Sequence, residues 1–492
     1  MQIKTYKQAI ERLSKLQSNQ KARIRMDSTF SGHNSLSEMD HYIESLELSL
    51  QKLSVIHVAG TKGKGSTCAF VESILRNCGL RTGLYISPHL VDIRERIVLN
   101  GNMISKEDFA EHFFAVYNKL EQTRTPDFPE LPSFFRFMTL FAFHYFLHQK
   151  VDVAIIEVGI GGRYDSTNVV FPTVCGVSSL GFDHMSILGD TLDKIAFEKA
   201  GIFKRNVVAV TSPQKPIALK TLKETATSVG SPLFLVPDLS AYSSQNEIIL
   251  SLEGDHQKIN ASLAITLAKF FLQLTFNVVD DLTTNLDWQK YLLVQPFQKT
   301  DEIFQEDLST DSALEILFAN SEKGLSTTSW PGRCQVCPSK KSENVIFYLD
   351  GAHTDESIGI AVNWFANKTR TNETETTENS SVKILLFFCT SDRDPKNLLQ
   401  PLIKMNIFHH VIFSPHIPVK KAAKIPGNWL DLMKEIWESS DPKAQIYVEK
   451  TLSSSLSSIY SISENFQDVL IQVLVTGSLH IVGDVLSVEH LI

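Results

Sequence analysis

The chain has few cysteines and no excess of basic residues. Six thiols among 492 residues do not form a disulfide framework, so we expect a reducing compartment and a fold held by its apolar cores. The 47 Lys and Arg residues stand against 55 Asp and Glu, which gives a net charge of −8. This balance argues against a general nucleic-acid-binding protein, although a local basic funnel for phosphates or carboxylates stays open.

Long hydrophobic runs are also missing. No uninterrupted apolar run approaches the ~20 residues that a membrane-spanning helix needs. The N-terminus has no apolar signal core, and Glu11 and Asp27 weaken the interpretation of its mildly basic residues as a transit peptide. We therefore predict a cytoplasmic protein without a membrane span, and we leave open a mitochondrial form.

Residues 54–67 carry the most informative pattern. An apolar run at 55–59 precedes a glycine-rich loop with Lys64, and a helix-compatible run follows at 67–78. Such glycines let main-chain N–H groups approach phosphate oxygens, while lysine and the helix N-terminus add positive charge. Gly65 interrupts the usual G-x-x-x-x-G-K-[ST] spacing, so a glycine-rich turn without phosphate is the alternative. The order of strand, loop and helix favours a phosphate site.

Apolar strands alternate with helical patterns, which predicts an α/β fold with a mainly parallel sheet. We expect strands at 55–59, 82–86, 151–158, 173–179 and 207–211, and again at 345–349, 382–388, 411–413 and 469–475. Three further segments give a buried helix at 134–148, an Asn-Gly hairpin at 97–104 and an exposed polar loop at 367–380. The pattern weakens between residues 290 and 328, so we predict a domain boundary near 328.

Polar residues follow the carboxyl ends of several predicted strands, where open α/β sheets bind ligands. Ser87, Glu157 and Asp183 hold such positions in the first half of the chain, and Asp350 and residues 476–480 in the second. This recurrence predicts an active-site cleft between the domains. Magnesium prefers oxygen ligands, and Glu157 at the end of an apolar strand is the best carboxylate for that role.

Taken together, these motifs resemble folylpolyglutamate synthases of the eukaryotic type, within the wider group of Mur-type amide ligases. The similar segments are residues 57–67, 87–90, 94–96, 134–137, 157–162, 177–181, 188–190, 198–202, 256–261, 330–333, 349–353, 391–395 and 475–480. Residues 400–470 contain no segment that we match.

The resemblance implies a P-loop ATPase domain at 1–328, with the folate and magnesium sites, and a smaller Rossmann-like α/β ligase domain at 329–492. It implies that ATP, a reduced folate bearing one or more glutamates, and L-glutamate give the extended folate, ADP and phosphate. A carboxylate is a poor acyl donor, so phosphoryl transfer first makes an acyl phosphate, which the glutamate amine attacks. Mg²⁺ is the implied cofactor, with K⁺ as a further candidate, and the implied protein is a monomer.

The resemblance also implies roles for single residues. The catalytic set would be Lys64, Glu157, His184, Lys199 and His353. The ATP-binding set would be Lys62, Gly63, Lys64, Gly65, Ser66, Gln257, Asn260, Arg333 and Asp350. The magnesium ligands would be Ser87, Glu157 and His184, although histidine is an unusual ligand for a hard cation. Weaker candidates for the glutamate or folate tail are Ser478 and Arg393, the latter between Asp392 and Asp394.

Two positions need separate comment. Lys199 occupies the position of a carbamylated lysine in the family, and the alternative is a helix-end lysine favoured by the helix dipole. Met185 replaces the usual threonine after Asp-His, which removes a hydroxyl beside the proposed metal site. Because Gly65 displaces the ordinary loop hydroxyl, Ser87 would take its place at the metal.

Two other signals are discounted. Cys334 and Cys337 spell C-x-x-C, but no second pair completes a zinc site, and in an extended segment their side chains point to opposite faces. His144 and His148 have the helical spacing of a metal pair without the glutamate of H-E-x-x-H. We interpret the cysteines as inert and the histidines as partly buried helix residues.

Alternative functions stay open at this point. A dihydrofolate synthase or a bifunctional ligase would use dihydropteroate and glutamate. A P-loop small-molecule kinase would release a stable phosphorylated product and need no amine. A catalytically silent ATP-binding regulatory protein would show no glutamate-dependent release of phosphate.

Overall fold

The computed structural model describes residues 5–16, 33–242, 248–276, 290–294, 320–370, 381–391, 393–416, 428–441, 443–466 and 469–491. These residues belong to two compact units. The first comprises the described parts of Met1–His89, Ile93–Ser251 and Asp255–Thr328. The second comprises Leu90–Asp92, Leu252–Gly254 and the described parts of Ser329–Ile492. The second unit therefore includes two short segments that precede residue 329 and interrupt the first unit along the chain.

The described strands of the first unit form one nine-stranded sheet. In chain order they are β1 (Val55–Ala59), β2 (Thr82–Tyr85), β3 (Ile97–Leu99), β4 (Asn102–Met103), β5 (Val153–Glu157), β6 (Val174–Val177), β7 (Val208–Thr211), β8 (Leu233–Leu235) and β9 (Leu292–Val294). Their order across the sheet is β4-β3-β2-β5-β1-β6-β7-β8-β9. The six strands from β2 to β8 in this order are mutually parallel, so their carboxyl ends share one edge.

Helices cover both faces of this sheet. They are α1 (Tyr6–Leu13), α2 (His33–Ser45), α3 (Lys64–Asn77), α4 (Lys106–Gln122), α5 (Phe134–Gln149), α6 (Met185–Leu188), α7 (Leu192–Lys199), α8 (Pro216–Val229) and α9 (Asp255–Phe276). Residues 320–327 are helical as well. Ala154 and Ile156 of β5 lie in one core with α4 and α5. On the opposite face, α3 and α9 pack against each other and against the central strands.

Helix α9 qualifies the expectation about membrane spans. By length and composition it is the one helix among the described residues that could cross a membrane, and 67% of its apolar window is buried. Polar residues such as Gln257 and Asn260 interrupt its apolar run, so the sequence contains no uninterrupted apolar stretch of that length. These side chains are buried against residues 60–66, which we call the phosphate loop, so α9 is a core helix of the first unit.

The second unit contains a six-stranded sheet in its described part. Its strands are β10 (Gln335–Pro338), β11 (Val345–Leu349), β12 (Ser381–Phe387), β13 (His410–Phe413), β14 (Gln445–Val448) and β15 (Leu470–Thr476), in the order β10-β11-β15-β12-β13-β14. Only β10 is antiparallel among them. The helices are α10 (Asp355–Arg370), α11 (Pro395–Met405), α12 (Trp429–Glu438), α13 (Leu452–Asn465) and α14 (Leu479–Val488). Two separate apolar cores cover the two faces of the sheet.

The predicted α/β fold with mainly parallel sheets is confirmed, and a strand occurs in each of the nine expected segments. The predicted hairpin is present, since Asn100 and Gly101 have φ values of 47° and 76° between β3 and β4. Two expectations need correction. Helix α3 begins at Lys64 rather than residue 67, because Gly63 already ends the loop. Residues 367–370 belong to α10, and the rest of the predicted loop, 371–380, lies outside the described residues.

Candidate active site

The loop between β1 and α3 depends on two glycines with positive φ. Gly60 has a φ of 154° and Gly63 a φ of 83°. A Cβ at Gly60 would lie 1.9 Å from Ser178 Oγ, and a Cβ at Gly63 would lie 2.1 Å from Asn260 Oδ1. Neither position has room for a side chain. Because the first turn of a helix leaves N–H groups without intrahelical partners, the start of α3 is a suitable anion site.

Lys62 has contacts within the protein that its predicted role at the phosphates did not include. The N–H groups of Thr61 and Lys62 both donate to the carbonyl of Ser179 at 3.0 Å. The Lys62 ammonium lies 3.4 Å from an Asp183 carboxylate oxygen. The amide expected to bind phosphate is therefore engaged within the protein, and Lys62 connects the loop to residues 179–183. Of the main-chain N–H groups expected to bind phosphate, those of residues 63–66 stay candidates.

The two predicted amide residues of α9 lie over the loop. Asn260 Nδ2 donates to Gln257 Oε1 at 2.9 Å, and Gln257 Nε2 lies 3.5 Å from Ser66 Oγ. Both side chains are buried. Since α9 packs along α3, the first turns of these helices bring Gln257, Asn260, Gly63 and Ser66 together. The sequence placed them in one site without showing which contacts join them.

Glu157 and Ser87 are neighbours at the carboxyl edge of the sheet. Glu157 ends β5, is 4% exposed, and accepts the Ser87 N–H at 2.8 Å through Oε2. The pairing of β2 with β5 places the two residues side by side. A carboxylate beside a hydroxyl supplies the oxygen donors that suit Mg²⁺. This pair fits the predicted metal site.

Of the three predicted magnesium ligands, His184 is the least suitable. Its side chain is exposed, its φ is 51°, and its N–H donates to Asp183 Oδ1 at 3.0 Å. The Lys62–Asp183 ion pair brings this segment to the phosphate loop. Within the described ranges, no group of three or more His, Cys, Asp and Glu side chains is arranged to hold a metal ion.

Lys199 lies beneath the phosphate loop. It is the last residue of α7, is 4% exposed, and donates from Nζ to the Gly60 carbonyl at 2.7 Å. Burial, and then the nearby Lys64 charge, lower the pKa of Lys199 to about 7. The neutral amine, which is the form that reacts with carbon dioxide, is therefore well populated at neutral pH. Lys199 does end a helix, as the alternative interpretation also requires, and it is buried there.

In the second unit, Asp350 is held by main-chain donors. It follows β11, and its two oxygens accept the N–H groups of Ala352 and Cys334, both at 2.9 Å. A Cβ at Gly351 would lie 2.9 Å from Arg333 Nη1, so the guanidinium lies against this glycine. His353 Nδ1 lies 3.1 Å from the Gly351 carbonyl. Three predicted residues, Arg333, Asp350 and His353, thus meet at the end of β11.

The weaker candidates follow neighbouring parallel strands of the second sheet. Ser478, after β15, is 6% exposed, and its Oγ accepts the His480 N–H at 3.1 Å as the N-cap of α14. Arg393 comes after β12, and its N–H donates to the Thr390 carbonyl at 3.1 Å. Ser478 therefore has a structural task besides any ligand contact. Asp392 lies outside the described residues.

The discounted cysteines are buried in different apolar cores, as opposite faces require. Cys334 nevertheless has a contact that the sequence did not indicate, since its Sγ lies 3.4 Å from Asp350 Oδ2. Burial, and then the Asp350 charge, raise the pKa of this thiol, so it stays protonated and able to donate.

The discounted histidines also have an unexpected neighbour. His144 and His148 lie on α5, and His112 of α4 approaches His144 with 3.2 Å between ring nitrogens. Burial lowers the pKa of His144 to about 4, so this imidazole is uncharged at neutral pH. It is part of the packing between α4 and α5.

Comparisons with known proteins identify the family and the fold of the chain. The Mur ligase middle domain family matches residues 58–268, and the family described as dihydrofolate synthetase, C-terminal domain, matches residues 334–488. A folylpolyglutamate synthase of Arabidopsis thaliana is 37% identical over 98% of this chain and 88% of its own. The human mitochondrial folylpolyglutamate synthase is 42% identical over 84% of this chain and 68% of its own.

Solved structures share the fold. The folylpolyglutamate synthase of Thermotoga maritima has a TM-score of 0.68 at 24% identity, covering 99% of this chain and 96% of its own. The Mycobacterium tuberculosis enzyme complexed with ADP has a TM-score of 0.70 at 21% identity, covering 98% and 99%. At these identities the likeness concerns the fold alone.

Proposed function

The chain belongs to the folylpolyglutamate synthase family, and on this premise we propose how its residues perform an ATP-dependent ligation. The reaction adds L-glutamate to the γ-carboxylate of a tetrahydrofolyl-(poly)glutamate and releases ADP and phosphate. The observation that carries the proposal is the meeting of the phosphate loop, Glu157 and Ser87 at one sheet edge. In this proposal a triphosphate cradle lies beside a pair of hard oxygen donors.

The phosphate loop holds the triphosphate. Its N–H groups at 63–66 and the start of α3 face the phosphate oxygens, and Lys64 adds a full positive charge. Gln257 and Asn260 close the same site from α9. Positioning of this kind supplies most of the catalysis in phosphoryl transfer.

Glu157 and Ser87 hold Mg²⁺, with His184 as the third protein ligand. When bound, the ion neutralises charge that develops on the transferred phosphoryl group. The buried Glu157 carboxylate stays oriented because Ser87 N–H donates to one of its oxygens. K⁺ is a second cation that we propose for this enzyme.

Lys199 acts from below the loop. Its buried, largely neutral amine has the form needed for carbamylation, which would turn a donor into an acceptor beside the metal. Unmodified, it still fixes the Gly60 carbonyl and so the start of the loop.

In the second unit, Arg333 and Asp350 act on the nucleotide, and His353 acts in closure or catalysis. Ser478 and Arg393 act on the glutamate or folate tail. These assignments extend the family likeness onto residues that the structure groups at the ends of β11, β15 and β12.

A dihydrofolate synthase or a bifunctional enzyme is the second candidate. One specific observation favours keeping it, since the family matched by residues 334–488 carries the description of dihydrofolate synthetase. We further propose a monomer that acts in the cytoplasm with a mitochondrial form, in line with the mitochondrial names of several relatives.

The test is release of phosphate from ATP with tetrahydrofolate, dihydropteroate or no pterin, each with and without L-glutamate. Release that requires both tetrahydrofolate and glutamate supports the proposal, and release with dihydropteroate identifies the second candidate. ADP formed without an amine, together with a stable phosphorylated product, would indicate a kinase.

Lys64→Ala and Glu157→Gln should each lower turnover by about a thousandfold or more, because each removes charge stabilisation at the phosphates. Circular dichroism and thermal unfolding check that both variants stay folded. Wild-type rates in either folded variant would contradict the proposed site.

A further inference from the structure

We propose that Ser178 and Gln214 are positioning residues for the phosphate loop, an inference that rests on the proposed function of that loop. Neither was expected to touch ATP or metal. Ser178 directly follows β6, and Gln214 lies three residues after the end of β7. Both are therefore at the carboxyl edge of the sheet. The strand before Ser178, β6, pairs with β1, which leads into the loop, and the strand before Gln214, β7, is the next one along.

The loop is shaped by the support segment, which we define as residues 178–183. The Ser179 carbonyl accepts the N–H groups of Thr61 and Lys62 at 3.0 Å, and the Gly181 carbonyl accepts the Thr61 hydroxyl at 3.1 Å. The Lys62–Asp183 ion pair adds a charged contact. Thr61 and Lys62, in the first half of the loop, thus make these contacts with the support segment and not within the loop.

Ser178 fills the space beneath the loop. Its side chain is fully buried, and its Oγ donates to the Lys62 carbonyl at 2.7 Å. The same oxygen occupies the place where a Cβ at Gly60 would stand. Removing the hydroxyl would leave the Lys62 carbonyl without this donor and open a gap under a backbone with positive φ.

Gln214 fixes the support segment from the other side. Its Oε1 accepts the Leu180 N–H at 3.0 Å, while its Nε2 donates to the Ser178 carbonyl at 3.0 Å and to Thr211 Oγ1 at 3.2 Å. The carboxamide therefore connects the support segment to the end of β7. Gln214 thus holds the support segment against β7, and the support segment in turn holds the loop.

This arrangement has a consequence for the nucleotide. Main-chain N–H groups bind phosphate only if the peptide planes keep their orientation, and the loop contains two strained or glycine-dependent positions. Freed from the support segment, the loop would sample orientations that do not bind phosphate, and the apparent affinity for ATP would fall.

The test compares Ser178→Ala with Ser231→Ala. Ser231 is a matched control because it is also fully buried in the first unit and donates a 2.7 Å hydrogen bond to a main-chain carbonyl, that of Val207. We expect Ser178→Ala to lower kcat/KM for ATP about tenfold, with KM for L-glutamate changed less than about twofold. Ser231→Ala should lose comparable thermal stability and keep kcat/KM for ATP.

Gln214→Ala is the second variant, since this side chain is only partly buried and its removal should disturb the core less than a change at a fully buried position. If both residues act through the same segment, the double variant should lose less than the product of the two single losses. Equal kcat/KM for ATP in Ser178→Ala and Ser231→Ala, or unchanged kinetics in Gln214→Ala, would overturn the inference. An active Lys64→Ala would instead overturn the proposed function of the loop itself.

Discussion

The carboxyl edges of the two sheets hold their polar groups in different ways. In the first unit, side chains from distant parts of the chain meet, as when Lys199 donates to Gly60 and Asn260 lies against Gly63. In the second, Asp350 is oriented by Ala352, two residues later, and by Cys334, which directly precedes the paired strand β10. The first edge therefore depends on the order of strands and helices, and the second mainly on one turn and one strand pair.

The largest expected difference between the two edges is in kcat/KM for ATP after an alanine substitution at one glycine of each edge. Gly63→Ala should lower kcat/KM for ATP by more than about a hundredfold, because the new methyl meets Asn260 at a φ of 83° that L residues rarely adopt. Gly351→Ala meets the side chains of Leu479 and Arg333, whose ends can move, and should lower kcat/KM for ATP by about tenfold or less.

Gly359→Ala, on α10 with open space around its Cβ position, is the control and should not reduce activity. Steady-state kinetics with varied ATP measures all three variants. A Gly63→Ala enzyme with the kinetics of Gly359→Ala would contradict the close approach of α9 to the loop.

The buried Lys199 amine of the first edge should make the free energy of unfolding depend on pH. The pKa of Lys199 is about 7 in the folded protein against 10.5 for the free side chain, so between these values the unfolded chain binds more protons. Stability should therefore rise with pH across that window, by at most about 1.4 kcal/mol per pH unit from this group. Below about pH 7 the amine is protonated in both states and the slope from this group vanishes.

Lys199→Met should lack that slope. Urea unfolding at several pH values from 7 to 9.5 measures the difference between wild type and variant. Buffers depleted of carbon dioxide keep the wild-type amine unmodified. Parallel curves for the two proteins would mean that Lys199 is charged in the folded state.

The smallest effect concerns the two cysteines of the second edge. Cys334 is 4% exposed at a φ of 44°, whereas Cys337 lies in β10. A β-branched side chain is strained at positive φ and suits a strand, so Cys334→Val should destabilise by about 2 kcal/mol and Cys337→Val by less than about 1 kcal/mol. Chemical unfolding followed by tryptophan fluorescence measures both; an equal loss would show that the left-handed backbone at Cys334 is not strained.

Much of the first edge was predictable because local patterns encode it. The alternation of apolar strands with helices indicated parallel sheets. Because the carboxyl ends of parallel strands share an edge, the sequence predicted that Ser87 and Glu157 lie close together. The turn at Asn100 and Gly101 followed from the need for positive φ. Short strands such as β9 and β14 were missed, since three or four residues without strong alternation give no clear signal.

The contacts of Lys62, Ser178 and Cys334 were not predictable. Nothing near Lys62 in the chain indicates that its N–H turns towards Ser179, and nothing near Cys334 indicates that it donates to Asp350. Each of these contacts joins segments that meet only when the sheet has formed.

The amino-acid sequence alone determined which segments become strands, where the phosphate loop lies and which edge of each sheet carries polar side chains, since these follow from the periodicity and φ preferences of neighbouring residues. Only the tertiary structure decided that Lys199 lies under Gly60, that Asn260 excludes a side chain at Gly63, and that Ser178 supports Lys62. The reason is that β1 lies between β5 and β6, an order of strands that places residues more than a hundred positions apart in direct contact and leaves no local pattern in the chain.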